Sequence, residues 1–87
     1  MACYLITYDL DRPGQNYHPV VTALQQAGGV RVLLSTWLIV SNEGAGQIRD
    51  RYRRHIDAND RLFVTDVNNW AYSNIMNPDA AKRLLPP

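Results

Sequence analysis

A single cysteine, Cys3, leaves the 87-residue chain without an internal disulfide or a Cys-rich metal site, as expected in a reducing, cytoplasmic setting. Its plainest role is that of a small core hydrophobe. No uninterrupted apolar run approaches the ~18 residues of a membrane helix, and no charged leader precedes a long apolar core. Neither export nor membrane insertion is expected. Nine Lys and Arg against eight Asp and Glu leave a formal charge of +1, which creates no global field to attract a polyanion. Any such site must be local. His18 and His55 lack a partner at His-x-x-x-His spacing. No internal repeat and no long linker divide the chain, so one domain over 1–87 is expected, with a core at 3–67 and an aromatic tail at 68–87.

What is present reads as alternating strands and helices. Tyr4 to Tyr8 is aromatic, β-branched or aliphatic, and Asp11-Arg12-Pro13-Gly14 stops it as a turn. Tyr4, Ile6 and Tyr8 share one face, with Cys3, Leu5 and Thr7 on the other. A strand that is apolar on both faces must be covered on both. Asn16 is placed to cap a helix with the buried stripe Tyr17, Val20, Val21, Leu24 and Ala27, which Gly28-Gly29 ends. Val30 to Ser41 is too long for one typical strand and divides near Ser35, although no Asn-Gly or Asp-Gly marks a hairpin. Asn42 is placed to cap a second helix, with Ile48, Tyr52 and Ile56 inward and Arg49, Arg53 and Arg54 outward. Arg61 to Val67 forms a fourth strand. Asn77-Pro78 opens a short helix that ends before Pro86.

The order strand, helix, strand, strand, helix, strand predicts an α+β, ferredoxin-like βαββαβ sandwich. Right-handed crossovers place the first and third strands in the centre of an antiparallel sheet, with both helices on one face. The other face is expected to be covered by a second copy, with Trp70 and Tyr72 contributing, or by the tail folding back over its own sheet.

In this topology Asp9 ends the first strand near Asp11, Arg12, Ser35, Thr36, His55, Asp57, Asp60 and Arg61. The free N–H groups near Asn16 and Tyr17 also suit a phosphate there. Carboxylates brought together suit a hard ion such as Mg2+, with Mn2+ as a substitute, and that ion can activate water at a phosphodiester. Two copies of Asp9 facing each other across a dimer axis would share such an ion. Asp9 bonded to its own turn backbone is the alternative. Arg51, Arg54 and His55, within the basic run Arg49 to His55, are candidates to hold a nucleic-acid backbone, or else form a solvated helix face. Tyr8 is kept as a candidate because it adjoins Asp9. Tyr4, Tyr17, Trp37 and Tyr52 are expected in the core.

Tyr4-Leu5-Ile6-Thr7-Tyr8-Asp9-Leu10, the Pro13-Gly14-Gln15-Asn16-Tyr17 loop, Ser35-Thr36-Trp37-Leu38-Ile39-Val40, Gln47-Ile48-Arg49-Asp50 and Asn59-Asp60-Arg61-Leu62 together resemble the small stand-alone relatives of the second CRISPR-associated protein. Virulence-associated protein D toxins belong to the same family. The resemblance spans about residues 3–67. It implies a ferredoxin-like homodimer whose last strand can join the partner's sheet, acting as a Mg2+-dependent endonuclease on RNA or DNA. The family's strand-one aspartate matches Asp9, and its strand-three serine and aromatic match Ser35 and Trp37. The basic loop after the aspartate is reduced here to Arg12. Many family members serve as structural dimers without cutting. Two functions are therefore expected as alternatives. One is an endonuclease, favouring RNA, with Asp9 on the metal, Tyr8 or Ser35 orienting water or phosphate, and Arg12, Arg51, Arg54 and His55 on the backbone. The other is a non-catalytic homodimer that binds nucleic acid, nucleotide or protein in antiviral defence or counter-defence.

Overall fold

The structure, a computed structural model, describes residues 1–11 and 18–87. The expected cap Asn16, the first stripe residue Tyr17 with the proposed phosphate-binding N–H groups, and Arg12 lie outside the described residues. Four strands and three helices follow in the order β1 (Ala2–Asp9), α1 (His18–Gln26), β2 (Val30–Leu33), β3 (Thr36–Ser41), α2 (Ala45–Arg53), β4 (Arg61–Asp66) and α3 (Pro78–Leu84). The strands form one sheet in the order β2-β3-β1-β4, every neighbouring pair antiparallel. β1 and β3 are central, as expected. The long apolar run breaks at Leu34-Ser35 and resumes at Thr36, so the hairpin forms without an Asn-Gly.

Alternation along β1 sorts the core into two parts. Tyr4, Ile6 and Tyr8 join Trp37 and Ile39 beneath Val20 and Leu24 of α1 and Ile48 and Tyr52 of α2. Both helices thus cover the same face. Ile6, Leu24 and Ile48 are completely buried, each worth ~1.5–3 kcal/mol relative to exposure. α1 ends in a Schellman arrangement, with Gly28 N–H on the Gln25 carbonyl at 3.0 Å and Gly29 N–H on the Leu24 carbonyl at 2.9 Å. Gly28 has φ +75°, and a Cβ on Gly29 would lie 2.8 Å from the Leu24 oxygen, so both positions call for glycine.

α2 starts differently from the sequence expectation. Gly44, not Asn42, is its N-cap, and the Gln47 side chain accepts the Gly44 N–H at 3.1 Å. The turn before it is held by Ser41 Oγ, which accepts the Glu43 N–H at 3.0 Å. Tyr4 Oη donates to the Glu43 carbonyl at 2.8 Å, tying this turn to β1.

On the opposite face, Cys3, Val32 and Leu38 pack against Ala81 of α3, flanked by Leu5, Val30, Val67, Ile75, Leu84 and Leu85. The tail therefore covers the β2–β3 side of this face in cis. Trp70 and Tyr72 are 38% and 37% exposed. Their rings stack at 5.9 Å between centroids, and Trp70 Nε1 donates to the Pro86 carbonyl at 2.7 Å. The end of the sheet bearing Phe63, Leu33 and Leu34 stays open to solvent.

The two sheet edges differ. At β2, Met76 N–H donates to the Val32 carbonyl and Asn77 Nδ2 to the Arg31 carbonyl, both at 2.9 Å. Asn77 precedes α3 with φ 51°, and its side chain serves this edge rather than the helix. At β4, Val67 N–H donates to the Cys3 carbonyl, so alternation turns the backbone groups of Leu62, Val64 and Asp66 away from β1. Among the described residues no strand pairs with that outer edge. No helix among them is long and apolar enough to cross a membrane.

Burial raises the Cys3 thiol above its ordinary 9.0, with the Asp66 charge adding to the effect. Burial likewise raises the Tyr52 phenol above 10.0, against the opposing pull of the Arg51 guanidinium. The folded chain holds these protons at pH values where the unfolded chain releases them, so stability declines as pH climbs through the raised values. Urea midpoints should hold level from about pH 7 to about 8.5 and fall above about 9.5. Cys3→Val should remove the part of the fall that begins at lower pH.

Candidate functional site

Asp9 is the last residue of β1 and lies directly across from Arg61, the first of β4. Because Tyr8 turns into the helix-covered core, Asp9 and Thr7 face the other way, to the side of the sheet left open. Arg61 Nη1 donates to Asp9 Oδ2 at 3.4 Å, with the two side chains 75% and 72% exposed. So open a pair contributes only ~0–1 kcal/mol, and another partner readily replaces either member. Thr7 lies beside this pair, its Oγ1 at 3.0 Å from Thr36 Oγ1 on β3. Across β4, Phe63 pairs with Thr7 and is 63% exposed. Thr7, Asp9, Arg61 and Phe63, with the intervening Tyr8 and Leu62, line a shallow cavity of about 310 Å3.

The sheet and the connecting loops distribute the other expected residues. Tyr8 is 4% exposed, and its hydroxyl accepts the Trp37 Nε1–H at 3.3 Å. It anchors the strand end from inside. Ser35 is half-buried in the β2–β3 turn, and its carbonyl accepts the Tyr8 N–H at 3.1 Å. His55 packs its ring against Tyr52 at 6.4 Å between centroids, in the helix layer. The basic run is largely engaged within the chain. Arg49 bonds Asp50 at 3.0 Å, Arg51 pairs with Glu43, and Arg53 donates to the carbonyls of Asp60 at 3.2 Å and Ala58 at 2.9 Å. Arg54 is exposed and makes no ion pair among the described residues.

A second acidic group gathers where loops meet. Asp60 is only 5% exposed, and its two oxygens accept the backbone N–H groups of Asp11 at 2.8 Å and Asp57 at 2.7 Å. This carboxylate joins the segment leaving β1 to the connection between α2 and β4. Asp11, Asp57, Ala58, Asn59 and Asp60 line a recess of about 410 Å3. Among the described residues no group of three or more His, Cys, Asp or Glu side chains is arranged around a metal position. Asp9 is thus the exposed carboxylate of the open face, and Asp60 is a tie between loops.

Two features escaped the sequence reading. Phe63 walls the Asp9 cavity, which its odd-numbered register with Arg61 would have signalled. The Thr7–Thr36 hydroxyl pair follows from the β1–β3 register in the same way. Compared with known proteins, the chain matches no family model and no solved structure.

Asp60→Ala leaves the Asp11 and Asp57 N–H groups, whose bonds are part-buried, without their charged acceptor, at up to ~1.5–3 kcal/mol for each bond to a charged group. The urea midpoint of this variant should fall well below that of Asp9→Ala, which removes only an exposed ion pair. Equal midpoints for the two variants would show that Asp60 does not carry the loop connection.

Proposed function

We propose that the chain works as a homodimer of ferredoxin-like protomers in which two Asp9 carboxylates meet at the open side of the sheets and support phosphodiester hydrolysis, with RNA as the favoured substrate. The observation that carries this reading is the position of Asp9, weakly paired and exposed at a sheet face that the chain's own tail leaves uncovered. The strand order β2-β3-β1-β4, with α1 and α2 packed on one face, supports reading the chain on a split βαβ plan. The exposed Phe63, Leu33 and Leu34 supply apolar surface at the same end. The resemblance of residues 3–67 to the second CRISPR-associated protein and its relatives points the same way.

The donor set fits Mg2+, which keeps most of its waters and takes one or two carboxylates, here Asp9 from each protomer. Bound there, the ion would supply an activated water and neutralise charge on the phosphate. Arg61, beside Asp9, and the exposed Arg54 would hold the backbone. Ser35 lies at the same end of the sheet, on the turn, and Tyr8 fixes the end of β1 by its buried bond to Trp37. Arg51 reaches phosphate only by leaving Glu43.

That last point favours a second reading. Because Arg49, Arg51 and Arg53 are engaged within the chain, a nucleic acid would meet few uncommitted cations on α2. The same homodimer would then bind a nucleotide, a nucleic acid or a protein partner without cutting, in CRISPR-type defence or counter-defence.

Sedimentation at about 10 µM should give a dimer, and Phe63→Glu should give a monomer with unchanged far-UV dichroism. Asp9→Ala should stay dimeric and lose at least about a hundredfold of single-stranded RNA cleavage in Mg2+ or Mn2+. A wild-type dimer that cuts neither RNA nor DNA selects the binding reading. A wild-type monomer at about 100 µM overturns both.

A further inference from the structure

At the β2 edge, two strands from β1, Arg31 lies opposite Trp37 in the strand register, with its guanidinium carbon 4.8 Å from the ring centroid. Its Nε–H is buried and meets no acceptor, and the side chain makes no ion pair among the described residues. The Leu24 and Gln25 carbonyls at the end of α1 take the N–H groups of Gly29 and Gly28, and the Arg31 carbonyl takes Asn77 Nδ2. A cation half-sheltered from water therefore has an aromatic face as its contact and an unmet donor.

This cation opens onto a cleft. Gln25, Gly29, Val30, Arg31, Trp37, Met76, Asn77 and Ala80 line about 380 Å3 between the end of α1, the β2 edge and the start of α3. That volume falls in the range of small-molecule sites, and the combination of mostly apolar walls with a few convergent polar groups is typical of them. We propose that this cleft binds a small organic carboxylate, its anionic end on Arg31 and its apolar body against Val30, Met76 and Ala80. A guanidinium presents Nε–H and an adjacent Nη–H as a parallel fork that matches a carboxylate. The ring contact is weak enough for the guanidinium to slide along Trp37 toward a forked ionic partner. Among the described residues that line the cleft Arg31 is the one cation, which matches a monoanion better than a phosphate dianion. The amides of Gln25 and Asn77 are the remaining polar groups at the rim. The cleft lies at the β2 edge and shares Trp37 with the Asp9 end of the sheet, where the indole N–H bonds Tyr8.

The test is an NMR titration of the intact chain with sodium benzoate, benzamide and inorganic phosphate, each to about 50 mM at constant ionic strength. Benzoate should shift the Arg31 Nε–H and Trp37 Nε1–H signals saturably. The neutral benzamide should not, and phosphate should bind at least about fivefold more weakly. Arg31→Gln should weaken benzoate binding at least about tenfold with unchanged far-UV dichroism. Should that variant fail to fold, Gln25→Leu and the wild-type comparison of benzoate with benzamide still decide the matter: benzoate-specific binding weakened by Gln25→Leu supports the site. Absence of a saturable shift, equal shifts with benzamide, or benzoate binding untouched by the variant that folds overturns the proposal. Phosphate binding as tightly as benzoate overturns the carboxylate assignment.

Discussion

Everything in this molecule hangs on β1 being paired on both sides and buried on both faces. Its even-numbered residues exchange backbone bonds with β3 and its odd-numbered residues with β4, so no other strand could take its place without breaking both ladders. The side chains obey the same parity. Tyr4, Ile6 and Tyr8 define the helix-covered core, while Cys3 and Leu5 sit under the tail. Asp9 is where this double enclosure ends, and that alone places a carboxylate at the margin of the sheet. Position makes it a candidate for function.

Electrostatics in the chain is mostly local. With a net charge near zero, arginines serve as connectors: Arg53 gathers the carbonyls of Ala58 and Asp60, and Arg51 clasps Glu43. Asp60 does the complementary work with two backbone N–H groups. A buried carboxylate that accepts such bonds is strongly constrained, because losing either leaves an unmet donor. The loops around the end of β1 are therefore held by polar ties, while the sheet behind them is held by apolar packing.

The fold was legible where periodicity was strong. The two-faced apolar pattern of β1, the stripe Val20-Leu24 and the pair Ile48-Tyr52 each mark what they bury. The break at Ser35 was readable from length, since one strand of twelve residues is unusual. Helix caps were less so. Asn42 has the right chemistry for a cap, but the Ser41 hydroxyl holds the turn and shifts the helix start to Gly44. The tail was harder still. Nothing in the local sequence says whether Ala81 and its neighbours meet their own sheet or another, because that choice depends on where the loop from Asn68 to Asn77 lets α3 land. At the candidate site, Asp9 and Arg61 were found together as strand neighbours, whereas the dual use of Asp60 required two loops to converge in space.

The unequal treatment of the two sheet borders constrains what the molecule can build. With the Val32 and Arg31 carbonyls of the β2 border taken by Met76 and Asn77, β4 is the open strand margin among the described residues for lateral annealing. Two chains that join there through a dyad consume both margins at once and leave none for a third. Lateral growth through the sheet is then self-limiting at a pair, and ribbons of stacked copies have no way to propagate.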